Sequence, residues 1–462
     1  MSLMKKSRKK GLKNFLRTLE EKKEEQAREE RHKKKKNIRS GNEICAHWPH
    51  CEGCPFIGTP YPEQLSYKRE KVVNSFIDAG FEPRWVQKIT KPTRISPLTL
   101  KYRNKAKWIL EKVDGDIVMG MYRPGTHEVL DMPHCAVHSE AINELSAFIK
   151  TSFLKNDVPV GPLDADSPTV RYLIVRFSFR EKKLLIVFVT TALNIRGLDK
   201  VVKELDDSEI WSKKVVSIVQ NINNDSGNVL LGEANKFLKK TSELTETLGP
   251  FRVPVGPLSF LQVNSLQASY LYKRVRELLG AGPFESGLDL YSGVGLMAMH
   301  MANSTQRILA VEEVGPAALE AITAARRNKI QNILELCGDA LEGIHTFTNE
   351  WGTPDWVILN PPRKGCDERV LAALSAKPPR KIVYVSCHPQ TLARDLQLLL
   401  SGHSGFEIKA IEPVDMFPQT PHTECIVLVE NTQKSFVAKK PKDSSSKGSA
   451  VKGQKLKSKF VH

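Results

Sequence analysis

No stretch of this 462-residue chain approaches the ~20 consecutive apolar residues that a membrane-spanning helix needs, so no membrane partner is expected. The N-terminus is charged but lacks the apolar segment and cleavage site of a secretory leader, which makes the cytoplasm the expected compartment. Cysteine is scarce. Eight residues at uneven spacings do not make a disulfide framework in a cytosolic chain of this size. No internal repeat is visible, which excludes solenoid and propeller architectures. Negative charge is also in deficit, with 69 Lys+Arg against 52 Asp+Glu and a formal net charge of +17. That excess is confined to the ends. Residues 1–40 carry +10 and residues 434–462 carry +8, which leaves −1 for residues 41–433. Such tails attract phosphate backbones by counterion release without reading sequence.

What remains is an ordinary globular composition, 40% hydrophobic, long enough for two or three domains. Residues 1–40 read as a basic arm and residues 433–462 as a basic, disordered tail. Residues 41–245 mix short β-like runs such as Leu184–Val189 with helical stretches, which predicts an α+β domain. Residues 246–432 alternate strand candidates (287–291, 308–312, 355–359, 381–386, 407–412, 424–430) with helical segments at 316–329, 367–376 and 390–400. That alternation predicts an α/β, Rossmann-like domain with a mostly parallel sheet.

In such a sheet, ligands bind at the carboxyl ends of strands, and three predicted strand ends carry complementary chemistry. Cys387 follows Ile-Val-Tyr-Val-Ser386. Asn360-Pro361-Pro362-Arg363 follows Val357-Ile358-Leu359. Tyr291-Ser292-Gly293-Val294-Gly295 follows Gly287-Leu288-Asp289-Leu290. A strand-end cysteine taken alone is more often packed than reactive. Glu312 ends the next strand, where a carboxylate accepts hydrogen bonds from both ribose hydroxyls. Asp339 fits a loop beside an adenine. Only one Gly-x-Gly stands where a dinucleotide site has G-x-G-x-x-G, which argues against NAD and suits S-adenosylmethionine, a cofactor without pyrophosphate.

Cys45, Cys51 and Cys54 form C-x5-C-x2-C, with Cys135 far along the chain. Four thiolates suit zinc or a [4Fe-4S] cluster. Three clustered ligands and one distant one lean towards iron–sulfur, while His47, His50, His134 and His138 keep zinc open.

Five ordered segments together carry a family resemblance: Phe260-Leu261-Gln262-Val263-Asn264; Asp289 to Gly295; Asn360-Pro361-Pro362-Arg363-Lys364-Gly365; Ser386-Cys387-His388-Pro389 to Asp395; and Asp415-Met416-Phe417-Pro418-Gln419-Thr420-Pro421-His422-Thr423-Glu424. They closely resemble the RNA uracil-5-methyltransferase family, and Pro62–Ser66, Tyr102–Ala106 and Tyr122–Gly125 extend the match, over about residues 44–430 in all. The resemblance implies a Rossmann-like S-adenosylmethionine-dependent methyltransferase domain, preceded by an α+β RNA-binding domain with an iron–sulfur cluster. It implies Gln262, Tyr291, Glu312 and Asn360 as cofactor contacts, Cys387 as nucleophile, Glu424 as general base, and Cys45, Cys51, Cys54 and Cys135 as [4Fe-4S] ligands. Ser292 replaces a frequent Cys, Asn360 a frequent Asp, and His388 a frequent Asn. Asn360, and the lack before Cys45 of any segment like the β-rich TRAM domain, point to a short branch acting on 23S rRNA. 23S rRNA is therefore expected ahead of tRNA as partner, with the protein a monomer.

The chemistry explains the residue types. Uracil C5 is a poor nucleophile until a thiolate adds at C6, and the C5 proton must leave before the thiolate does. The reaction therefore needs a thiol and a separate base. Arg363 and Arg394 are candidates for holding the thiol ionised. Two rival readings are weaker. An amino-group methyltransferase built on Asn360-Pro361-Pro362 lacks the aromatic residue after the prolines and leaves Cys387 and Glu424 without work. An RNA-binding factor with a decayed site does not account for an intact Cys387 and Glu424.

Overall fold

The computed structural model describes residues 43–162, 167–225 and 230–433. The basic arm and the basic tail lie outside the described residues.

The second half forms one seven-stranded sheet, in the order Ile333–Cys337, Thr305–Glu312, Phe284–Leu290, Trp356–Leu359, Lys381–Ser386, Glu424–Asn431, Phe406–Val414. The first five strands are mutually parallel. Glu424–Asn431 runs antiparallel to both of its neighbours. Its reversal brings its first residue, Glu424, to the edge where the parallel strands have their carboxyl ends. The side chains divide by the strand period of two. Leu288, Leu309, Val357, Ile382 and Val427 face one core with helices Tyr61–Asp78, Ala340–Trp351, Glu368–Ala376 and Pro389–Gly402. Ala310, Ile358, Val383 and Ile426 face the other, against helices Ser265–Leu279 and Leu296–Met301. This is the α/β Rossmann-like domain that the alternation predicts. The strand Ile333–Cys337 and the helices Ser265–Leu279, Leu296–Met301 and Ala340–Trp351 are absent from the sequence expectation.

A second seven-stranded sheet runs Val129–Asp131, Asp116–Tyr122, Lys105–Val113, Val170–Phe177, Leu184–Thr190, Val215–Ile222, Ala234–Lys240. It is antiparallel except for one pair, Leu184–Thr190 with Val215–Ile222, whose crossover carries the helix Leu198–Asp207. In the first strand of that pair Leu184, Ile186 and Phe188 enter a core with helices Glu140–Lys155 and Leu198–Asp207. Leu185, Val187 and Val189 enter the core shared with the other sheet. Burial on both faces is why this strand is an unbroken apolar run.

Residues 61–94 pack on the Rossmann-like sheet. Val72, Val73 and Phe76 of helix Tyr61–Asp78 and Val86 of helix Pro83–Ile89 share a core with Leu288 and Tyr384. Beyond them, Thr90 and Arg94 bridge to Ile411 and Val414, with Lys91 N–H donating to the Ile411 carbonyl (2.9 Å) and Arg94 N–H to that of Pro413 (2.8 Å). The outer strand Phe406–Val414 is therefore covered at the end nearest the site, not left as an open edge.

Candidate active site

Register builds the site. Leu290 pairs with Val311 on one side and Leu359 on the other, so Tyr291, Glu312 and Asn360 stand in a row along the carboxyl edge. The chain order reverses between the central strands, which makes this the crevice where an open sheet takes its ligand. Tyr291 turns the chain out of its strand at φ +61°, uncommon for a bulky residue. Gly293 follows at φ +57°, and a Cβ there would meet nothing within 4 Å, so the loop leaves open space on its ligand side. Glu312 braces the loop, accepting from Gly293 N–H (2.8 Å) and Val314 N–H (2.9 Å). Asp289 lies beneath, fully buried. Its Oδ2 accepts from Ala298 N–H (2.9 Å) and its Oδ1 has no partner. Burial pushes this carboxyl up to about 7. Gln262 enters from a separate loop, its carbonyl held by Asn104 Nδ2 at 3.1 Å.

Cys387 lies one residue beyond the strand Lys381–Ser386, whose last pair is Ser386 with Cys425. One antiparallel step further sets Cys387 opposite Glu424. The Glu424 carboxyl is completely buried, and burial pushes it up to about 7. Cys387 is half-buried. Burial and the Glu424 carboxyl push its thiol up, while the charge and a hydrogen bond of Arg363 pull it down. The expectation that the surroundings hold the thiol low is therefore only partly met, because burial and the Glu424 carboxyl oppose its ionisation. Of the two arginines offered for that task, only Arg363 reaches the thiol. Arg394 is committed to Asp395 (2.6 Å) and the Lys364 carbonyl (2.9 Å). Asp339, in the turn after strand Ile333–Cys337, caps helix Ala340–Trp351, accepting from Glu342 N–H at 2.9 Å.

His388 does locally what an asparagine there would do. Its Nδ1 accepts from Thr391 N–H (3.4 Å) and caps helix Pro389–Gly402. Burial together with Lys71 and Arg363 holds its imidazole low, hence neutral. His422 is lowered by burial and by the same two cations, then by Lys68 and Arg103. Lys71 of helix Tyr61–Asp78 thus stands near Arg363, His388 and His422, an arrival that no sequence signal marked.

The four N-terminal-half cysteines gather without closing a common centre. Cys51 and Cys54 pack with Cys135, Tyr102 and Met132. Burial, then Cys135, Cys51 and Cys45, push the Cys54 thiol up to about 12. Yet Cys45 Sγ meets His47 Nδ1 (3.6 Å) and Cys51 Sγ meets Met132 Sδ (4.0 Å). Among the described residues, no group of three or more His, Cys, Asp or Glu is placed to hold a metal ion.

A half-buried thiol and a buried carboxyl thus stand near one another, next to a strand-end crevice with an open glycine loop. Residues 257–432 match the tRNA (uracil-5-)-methyltransferase family model. An uncharacterized RNA methyltransferase of Geobacter sulfurreducens is 39% identical over 394 residues, 85% of this chain and 77% of the relative. Another, from Oceanobacillus iheyensis, is 32% identical over 378 residues, 82% of this chain and 81% of the relative. This chain belongs to the RNA uracil-5-methyltransferase family. Among solved structures it is similar to the Pyrococcus abyssi tRNA (uracil-54, C5)-methyltransferase in complex with S-adenosyl-L-homocysteine. That likeness has a TM-score of 0.67 and 26% identity, and covers 82% of this chain and 86% of the other. As a member of this family the protein is an S-adenosylmethionine-dependent RNA methyltransferase. Among the described residues no helix is long and apolar enough to cross a membrane.

Proposed function

We propose that the protein methylates C5 of a uridine in RNA through a covalent bond between Cys387 and C6. The observation that carries this reading is the register placing Cys387 opposite Glu424 at the carboxyl edge of the sheet. The Cys387 thiolate attacks C6, and the C5=C6 electrons move towards O4 as an enolate. S-adenosylmethionine, when bound, supplies an electrophilic methyl group for C5. Tyr291, Glu312 and Asn360 hold that cofactor along the strand ends, with Gln262 closing from the side. Glu424 then takes the C5 proton, the C–H electrons restore C5=C6, and the S–C6 pair returns to sulfur. Arg363 favours the thiolate at both ends of the cycle. A paired base is out of reach, so the uridine is unpaired or flipped. RNA carrying 5-fluorouridine at the target should form a stable adduct, because fluorine cannot leave as a proton does. Cys387→Ala should abolish the adduct, and an adduct that survives would assign another nucleophile.

Sequence likeness to the short branch favours 23S rRNA as substrate. The family model and the Pyrococcus abyssi structure, both named for tRNA, favour tRNA as the second reading. Mapping 5-methyluridine in both RNAs from cells with and without the protein decides between them. A [4Fe-4S] cluster on Cys45, Cys51, Cys54 and Cys135 is proposed on donor chemistry and proximity. Anaerobically purified protein should then carry about four irons per chain. Stoichiometric zinc in colourless protein would remove the assignment.

A further inference from the structure

The loop from Asp415 to Thr423 joins the outer strand Phe406–Val414 to the strand that begins with Glu424, and Val414 is the pairing partner of Glu424. Its conformation therefore fixes where the carboxyl starts. It is held almost entirely from outside its own sheet. Lys68 of helix Tyr61–Asp78 forms an ion pair with Asp415 in which both side chains are 0% exposed. Tyr61 donates to the other Asp415 oxygen (2.9 Å). Successive loop carbonyls are then taken up. Met416 accepts from Asn264 Nδ2 (3.2 Å), Phe417 from Lys68 Nζ (3.0 Å), Pro418 from the Tyr102 hydroxyl (3.1 Å) and Pro421 from Lys71 Nζ (3.0 Å). The Gln64 amide makes a reciprocal pair with Gln419, 2.9 Å in each direction, to its side-chain oxygen and its N–H.

Burying two charges is a poor way to gain stability, since apolar groups of the same volume serve as well. What the pair does supply is a unique position for Asp415, one residue from the partner of Glu424. We propose that Lys68, through Asp415, is a positioning residue for the base: helix Tyr61–Asp78 sets the Glu424 carboxyl against the C5 proton, and so belongs to the catalytic apparatus although it touches no reacting atom. This rests on the reading of Glu424 as the base.

The test separates position from stability. In the double variant Lys68→Met/Asp415→Leu no charge is left unpaired, so its thermal midpoint should stay close to that of the parent protein. It should trap 5-fluorouridine RNA normally, because that adduct needs the thiol and the methyl transfer but no proton removal. On ordinary uridine it should accumulate the methylated covalent adduct and release product on the order of 10²-fold more slowly, with unchanged equilibrium affinity for RNA. Tyr61→Phe, which removes the hydroxyl's bond to Asp415 and the one it accepts from Ser96 N–H (2.9 Å), should slow the same step by less. Product release at the parental rate in the folded double variant would overturn the inference, as would loss of 5-fluorouridine trapping in proportion to loss of fold. Glu424→Gln run alongside distinguishes the two failures. If it too releases product normally, the base assignment itself falls. If it stalls while the double variant does not, only the positioning role of Lys68 falls.

Discussion

A thiol and a carboxyl on adjacent strands compete for negative charge, and that competition makes the site testable one residue at a time. Glu424 raises the Cys387 thiol and Arg363 lowers it. Replacing Glu424 by Gln removes a neighbouring negative charge, so the thiol should ionise more readily and react several-fold faster with iodoacetamide near neutral pH. Arg363→Gln should do the reverse. An unchanged alkylation rate in both variants would mean that the side chains do not sense one another. The proposed base carries its own pH signature. With its carboxyl pushed up to about 7, Glu424 accepts a proton only when ionised. Single-turnover release of methylated RNA should therefore rise with pH through about 7. Glu424→Gln should flatten that rise and leave the methylated adduct standing.

At the scale of elements, the central strand Phe284–Leu290 shows how the crevice is kept narrow and rigid. Gly287 pairs with Trp356, whose ring is fully buried and whose indole N–H donates to Thr305 Oγ1 at 3.1 Å. A Cβ at Gly287 would fall 2.0 Å from that ring. Gly287→Ala should therefore force the two strands apart and cost roughly 1–3 kcal/mol or more in denaturant unfolding. Because Tyr291 and Asn360 stand on these same two strands, the affinity for S-adenosylmethionine should fall with it. A variant with parental stability would show that the indole can move aside. Helix Pro389–Gly402 illustrates the opposite case, an element whose start is chemically tolerant. The cap at position 388 needs an acceptor aimed at Thr391 N–H, and an imidazole meets that need. His388→Asn should leave both stability and turnover close to the parent, as measured by thermal unfolding and single-turnover methylation.

For the molecule as a whole, the buried carboxyls set the response to pH. Glu424, Asp289 and Glu246 are each pushed up to about 7, mainly by burial, and Glu335 is pushed well above its ordinary value. Each binds its proton more tightly folded than unfolded. The stability they allow is thus complete below the ordinary carboxylate range and is lost as pH rises through about 7. Keeping an ionised group in such a site costs on the order of 3 kcal/mol. The thermal midpoint of the protein without cofactor should accordingly peak in mildly acidic buffer and fall between about pH 5 and pH 8. A midpoint that climbs over that interval would contradict the burial of these acids. The charge of the ends is expected to act on RNA. Since residues 41–433 sum to −1, deleting 1–40 and 434–462 should weaken RNA binding at moderate salt. The salt slope should flatten by about 0.7–0.9 per lost phosphate contact. Single-turnover methylation at saturating RNA should persist, since none of the proposed catalytic residues lies in either end.

The sequence by itself determined the alternation that makes a parallel sheet, the apolar runs that end at Cys387 and Asn360, and the Gly-x-Gly turn with Glu312 after it. These are local signals, in which strand period and turn chemistry lie within a few residues of one another. It missed the strand Ile333–Cys337, where Glu335 interrupts the apolar run although that carboxyl is itself buried. Only the tertiary structure decided what the strand ends meet. The reversal of Glu424–Asn431 carries its carboxyl to the thiol. The chain path brings Arg363, not Arg394, to Cys387. The four cysteines approach one another while their side chains turn to different partners. Lys68 and Asp415, 347 residues apart, form one buried pair. A lysine in a helix looks the same in sequence whether solvent or a carboxylate receives it. Which of the two it meets depends on long-range packing, and no local pattern encodes that.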